Sequence, residues 1–201
     1  MGRPSIPRLK AGAYQKPLGS LGMPTDTGKE TLMRAFLIGC IVVLGGAFAF
    51  AADEAPKAGT KVLNDFEVDA DKDMFADSTA DISISTEHAT SGKHSLKAVW
   101  TGAKPLSAIG TLPADWSEYK WLKFDLFMEG ESNFTLRLKD KAGKSYDVWQ
   151  YPAQAGANTI TVNLETAGGT IDLKQIFHFF FYLVDDKETA TGYVDNLRLE
   201  K

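Results

Sequence analysis

The segment from Asn133 to Tyr151 holds the residues best suited to binding chemistry. "NFTLRLK" and "KSYDVWQY" flank the short turn "DKAGK", so they read as the two strands of a hairpin. Alternation sends Phe134, Leu136 and Leu138 to one face and Asn133, Thr135, Arg137 and Lys139 to the other. If Tyr146 and Val148 point the same way as the leucines, then Asp147, Trp149 and Tyr151 share a surface with Arg137 and Lys139. Rings alternating with charges on an exposed sheet suit a sugar, whose C–H faces stack on aromatics while its hydroxyls take charge-assisted hydrogen bonds. The opposite register turns Trp149 into a core residue, and a loop over the face is a further arrangement. In "KWLKFDLFM", Trp121, Lys123, Asp125 and Phe127 oppose a clean apolar row. Trp121 and Asp125 join the carbohydrate-binding candidates.

Catalytic patterns are sparse. His88, His94 and His178 lack metal-ligand spacing, and there is no G-x-S-x-G or P-loop. His178 sits in "IFHFFFYLV" and reads as a packed core histidine. A glycosidase needs two carboxyl groups facing one cleft. Alternation allows Asp125 and Asp147 on one face, but the neighbouring Lys123 and Arg137 would keep both ionised, which is wrong for a general acid. The expectation is a protein that is not an enzyme.

The elements that must position these residues are strands almost throughout. Candidates are Lys61–Glu67, Asp81–Thr86, Ser95–Trp100, Ser107–Leu112, Lys120–Met128, Asn133–Lys139, Ser145–Tyr151, Asn158–Leu164, Ile176–Val184 and Tyr193–Glu200, with one helical turn possible in "TIDLKQI". Short strands at this spacing, bounded by Gly, Pro, Asp and Asn, predict an all-β, two-sheet antiparallel sandwich or a barrel. "IFHFFFYLV", apolar on both faces, suits a central strand. In "YVDNLRLEK" the polar pair Asp195-Asn196 interrupts the run. A bulge there lets Val194 and Leu197 both face the core.

"MRAFLIGCIVVLGGAFAFAADEAPK" has the layout of a secretory signal peptide over residues 33–51, with cleavage after Ala51. An uncleaved anchor and lipidation at Cys40 are the rival readings. Residues 1–32 are Gly/Pro-rich without an apolar period and read as a non-native upstream extension, residues 52–60 as a polar leader, and residues 61–201 as the sandwich domain. From residue 52 onward there are 16 Lys+Arg against 24 Asp+Glu, a net charge of −8, and no cysteine. Such a balance opposes nucleic-acid binding, and no disulfide or thiol chemistry is available. The expected location is secreted or periplasmic, with no membrane association once the signal is cleaved, and the expected state is a monomer.

"NDFEVDADKDMF", "ISISTEHATSGKHSLKAVW", "LPADWSEYKWLKFDLFM", "TLRLKDKAGKSYDVW", "AGANTITVNL" and "GYVDNLRLEK" follow in an order that resembles the galactose-binding-like jelly-roll carbohydrate-binding modules of secreted bacterial polysaccharide-degrading systems. The resemblance spans nearly all of Lys61 to Lys201. It implies a jelly-roll sandwich, a polysaccharide or oligosaccharide partner, and a structural calcium (Ca2+). Carried over by position, the metal ligands are Glu67, the carbonyls around Ser91 to Lys93, and Asp195. Calcium accepts carboxylate and backbone oxygens together. "DADKDMFAD" is not an EF-hand: Met74 stands where the loop needs Gly and Ala80 where it needs Glu. It reads as a solvated acidic loop. Three functions remain: non-catalytic carbohydrate binding, a structural or protein-binding sandwich, and, least favoured, a small glycan-active enzyme.

Overall fold

A computed structural model describes residues 57–201. The signal peptide at 33–51, its cleavage after Ala51, the upstream extension and the first part of the leader lie outside the described residues. Among those described, ten strands form: β1 (Thr60–Asn64), β2 (Asp81–Ser85), β3 (Ser95–Thr101), β4 (Leu106–Ile109), β5 (Trp121–Met128), β6 (Ser132–Asp140), β7 (Ser145–Ala153), β8 (Gly156–Asn163), β9 (Ile176–Leu183) and β10 (Thr189–Glu200). One short helix, α1 (Leu164–Gly168), follows β8, capped by the Asn163 side chain accepting from the Thr166 amide. Two 3-10 turns cover Asp69–Phe75 and Leu173–Gln175. No helix among the described residues is long and apolar enough to cross a membrane.

The strands make two antiparallel sheets. The six-stranded sheet runs β2-β3-β10-β5-β8, with β1 also paired to β10, and the four-stranded sheet runs β4-β9-β6-β7. β5 and β6 are consecutive in sequence yet lie in different sheets.

Period-two burial drives this architecture. β5 alternates residue by residue between buried and half-buried. Its Leu122, Phe124, Leu126 and Met128 face Phe134, Leu136 and Leu138 of β6 and Phe179 and Phe181 of β9 in one core. The rings interlock: Phe134 stacks on Phe181 at 4.3 Å between centroids, and Trp100 and Phe124 meet Phe181 edge-on. Burying each such ring stabilises the fold by about 1.5–3 kcal/mol. Trp100 of β3 also donates its indole N–H across the sandwich to the Phe181 carbonyl at 3.0 Å, which satisfies its one polar atom.

One departure from the expected strands, in β1, and one expected irregularity, in β10, have local causes. β1 stops at Asn64 instead of running to Glu67, because the Asn64 carboxamide accepts from the Phe66 amide at 2.8 Å and Phe66 takes a left-handed conformation (φ 58°). The turn releases Glu67 from the sheet. β10 carries the expected bulge: Asp195 pairs with Asp125 and Arg198 with Lys123, so β10 spends one residue more than β5 over that interval. Asn196 supplies the left-handed residue (φ 50°), and Val194 and Leu197 are both buried.

Candidate functional site

The outer face of the four-stranded sheet is built in rows. Directly paired residues share a face. One row runs Ser107, Phe180, Arg137, Asp147 across β4, β9, β6 and β7; the next runs Ile109, His178, Lys139, Ser145; Tyr182 pairs with Thr135 in a third. Arg137 grips Asp147 with two hydrogen bonds, Nε to Oδ1 at 2.5 Å and Nη2 to Oδ2 at 3.1 Å. This pairing raises the guanidinium pKa further above its ordinary value. The same guanidinium lies 5.9 Å from the Trp149 ring centre, and Trp149 is 63% exposed. An Arg engaged by a carboxylate and also facing an indole is held in one orientation, which in turn holds the ring.

Arg137, Lys139, Asp147 and Trp149 therefore come together as expected. Tyr151 does not join them. Leu136 pairs with Val148 and Phe134 with Tyr151, so β7 inserts one residue, with Gln150 left-handed (φ 54°). A one-residue shift reverses the face of everything beyond it. Tyr151 packs against the core instead, and its hydroxyl donates to the Thr159 carbonyl at 3.3 Å.

β9 contributes residues that sequence reasoning missed. His178, Phe180 and Tyr182 lie half-buried on this outer face, while Ile176, Phe179, Phe181 and Leu183 fill the core. Their signal was the two-sided apolar character of "IFHFFFYLV", taken as complete burial. Three buried polar atoms on the face have no hydrogen-bond partner: Ser107 Oγ, Thr135 Oγ1 and His178 Nδ1. Burial, and then the Lys139 charge, push the His178 pKa below its ordinary value.

Trp121 and Asp125 belong to the other sheet, which corrects their grouping with Trp149. β5 pairs with β10 and β8, so these two residues face away on the far side of the sandwich. Asp125 and Asp147 are thus not a facing pair. That second outer face is closed. Asp125 Oδ2 accepts from Thr90 Oγ1 (3.0 Å), Asn196 Nδ2 (3.1 Å) and Arg198 Nη1 (3.4 Å), and its Oδ1 accepts from Thr159 Oγ1 (3.1 Å). Lys123 and Arg198 share Glu200, at 2.6 and 2.9 Å. His88 stacks on Phe127 at 3.5 Å, and Tyr193 donates to Glu87 at 2.8 Å. The Glu87 hydrogen bond, then burial, push the Tyr193 hydroxyl pKa up to about 12.

The loop from Thr90 to His94 covers this face and is held by two carboxylates. Asp195 Oδ2 accepts from the amides of Thr90 (2.6 Å) and Ser91 (2.8 Å) and from Thr90 Oγ1 (3.1 Å), and Oδ1 accepts from the Asn196 amide. Glu67 Oε1 accepts from the amides of Lys93 (2.8 Å) and His94 (3.0 Å). Gly92 is left-handed (φ +64°), and a Cβ there would sit 2.2 Å from Glu67 Oε1. Burial holds Asp195 above the ordinary carboxylate range despite these donors. For Glu67 partial burial acts upward too, but the two amides and the His94 ring outweigh it and leave the pKa lowered.

Glu67, Ser91, Lys93 and Asp195 thus meet at one loop, where calcium was expected. The donor set does not fit the ion. The loop turns N–H groups, not carbonyls, toward Glu67 Oε1 and Asp195 Oδ2, and N–H dipoles repel a cation. Among the described residues no group of three metal-ligating side chains comes together.

No protein-family model and no curated protein sequence matches the chain. Solved structures do match. One is a family 11 carbohydrate-binding module from Clostridium thermocellum in complex with a beta-1,3-1,4-mixed-linked tetrasaccharide, at 20% identity and a TM-score of 0.52, covering 72% of this chain and 97% of that one. The fold is that of the jelly-roll carbohydrate-binding modules. An agarase matches at 14% identity and TM-score 0.55, and an exo-beta-agarase at 18% and 0.50. These matches cover 71% and 75% of this chain but only 24% of each agarase.

Proposed function

We propose that this protein is a non-catalytic carbohydrate-binding module that acts outside the cytoplasm and takes its ligand on the outer face of the four-stranded sheet. The observation that carries the reading is the exposed Trp149 ring fixed beside the Arg137–Asp147 pair, on a face that also holds Phe180 and Tyr182. A pyranose ring stacks on the indole, and its hydroxyls accept from Arg137 and donate to Asp147. The shared fold supports the reading, since the family 11 module of that fold is seen with an oligosaccharide. Agarases that contain a region of similar fold are consistent with a module that works beside polysaccharide chemistry.

A polysaccharide array probed with the folded protein and with Trp149→Ala tests it. Binding to at least one polysaccharide, weakened in the variant, is the expected outcome. No binding by protein with native circular dichroism overturns it and leaves the protein-binding sandwich as the reading.

A further inference from the structure

We infer that the glycan bound on the four-stranded sheet is anionic, bearing carboxylate or sulfate groups, and that Lys139 beside His178 reads that charge. This rests on the reading of the face as a sugar site.

The two cations on the face are not equally paired. Arg137 is matched by Asp147 through both carboxylate oxygens. Lys139, in the adjacent row, pairs in register with His178 and Ser145, neither of which is an acid, and no ion pair to its ammonium forms among the described residues. The acid next to it in sequence is committed elsewhere: Asp140 is buried, with Oδ1 accepting from the Lys144 amide and Oδ2 from the Asp172 amide. Asp77 near His178 is exposed and forms no salt bridge among the described residues. Among the described residues Lys139 is thus the cation of these rows that forms no ion pair, and the acid near its neighbour His178, Asp77, is unpaired as well.

A neutral sugar would leave that ammonium without a counter-charge at a half-desolvated position. A uronate or sulfate ester would supply the counter-charge on a sugar farther along the ligand, since Lys139 lies four residues of β6, about 13 Å, from the Thr135 position beside Trp149.

The test is binding of the protein to polygalacturonate (carboxylate), a sulfated galactan (sulfate), and neutral mixed-linkage glucan and xylan, at low and high ionic strength. The expected result is preference for one or both acidic polymers, weakened by salt. Lys139→Gln should lower that affinity about fivefold, and Lys139→Arg should restore it. Equal binding to neutral polymers, unchanged by Lys139→Gln, overturns the anionic ligand while leaving the sugar site intact. Binding to none of the four overturns both. Unfolding midpoints of the variants equal to the parent confirm that the change is in recognition.

Discussion

The two outer faces of the sandwich use the same residue types to opposite ends. The six-stranded face carries Trp121, Phe127, Tyr193, Asp125, Glu200, Lys123 and Arg198, and nearly every charge there has a protein partner. A loop lies over it, with His88 flat on Phe127. The four-stranded face carries Trp149, Phe180, Tyr182, Arg137, Asp147 and Lys139, and has no such cover over Trp149. Aromatic and charged residues on a sheet therefore do not by themselves mark a binding surface. What separates the two is whether another part of the chain has already supplied the partners.

This contrast predicts that lesions on the closed face cost stability and lesions on the open face cost binding. The largest effect is expected from Asp195→Ala, which strands the Thr90, Ser91 and Asn196 amides. Chemical denaturation should register a loss of about 3 kcal/mol, partly recovered in Asp195→Asn, whose carbonyl still accepts. Gly92→Ala follows, at about 1–2 kcal/mol, since it forces a strained left-handed residue and drives Glu67 off its amides. Trp149→Ala should leave the unfolding midpoint unchanged yet weaken glycan binding about tenfold by titration calorimetry. A stability loss in that variant would erase the contrast.

Smaller effects divide the two carboxylates that hold the covering loop. The folded pKa of Glu67 is lowered, so its contribution is present above the unfolded value of about 4.3 and is lost as pH falls through the folded value. Asp195 is raised, so its contribution is complete only below about 3.9 and fades as pH rises through its folded value. Melting curves between pH 3 and 7 should therefore show a shallower acid loss for Glu67→Gln and a steeper one for Asp195→Asn. The smallest expected effect is that of chelation. Removing divalent ions should leave the melting temperature unchanged, and a drop reversed by calcium would show that the loop turns its carbonyls to a metal after all.

Much of the fold was legible because alternation writes burial directly into the chain, as in "KWLKFDLFM". The two bulges show where that legibility ends. At Asp195-Asn196 a polar pair broke an apolar row, and Asn tolerates left-handed backbone, so the extra residue announced itself. At Trp149-Gln150 neither residue type signals a bulge, and Tyr151 was assigned to the wrong face. Trp121 and Asp125 failed for a different reason: alternation sorts the faces of one strand but does not say which strands share a sheet. Nor did anything local reveal that Thr90 would reach Asp125 and Asp195, because those contacts span 35 and 105 residues of chain.

The bulge in β7 has a consequence beyond recognition. β7 is one edge of its sheet, β4 being the other, and a free edge offers unpaired backbone groups to any passing strand. Left-handed Gln150 breaks the spacing of those groups, and Pro152, two residues on, removes an amide donor altogether. A strand from a second molecule would find no continuous row to zip against. The irregularity beside the exposed Trp149 thereby blunts this edge against a second strand, so a bulky apolar ring can stand exposed there without an intact edge next to it.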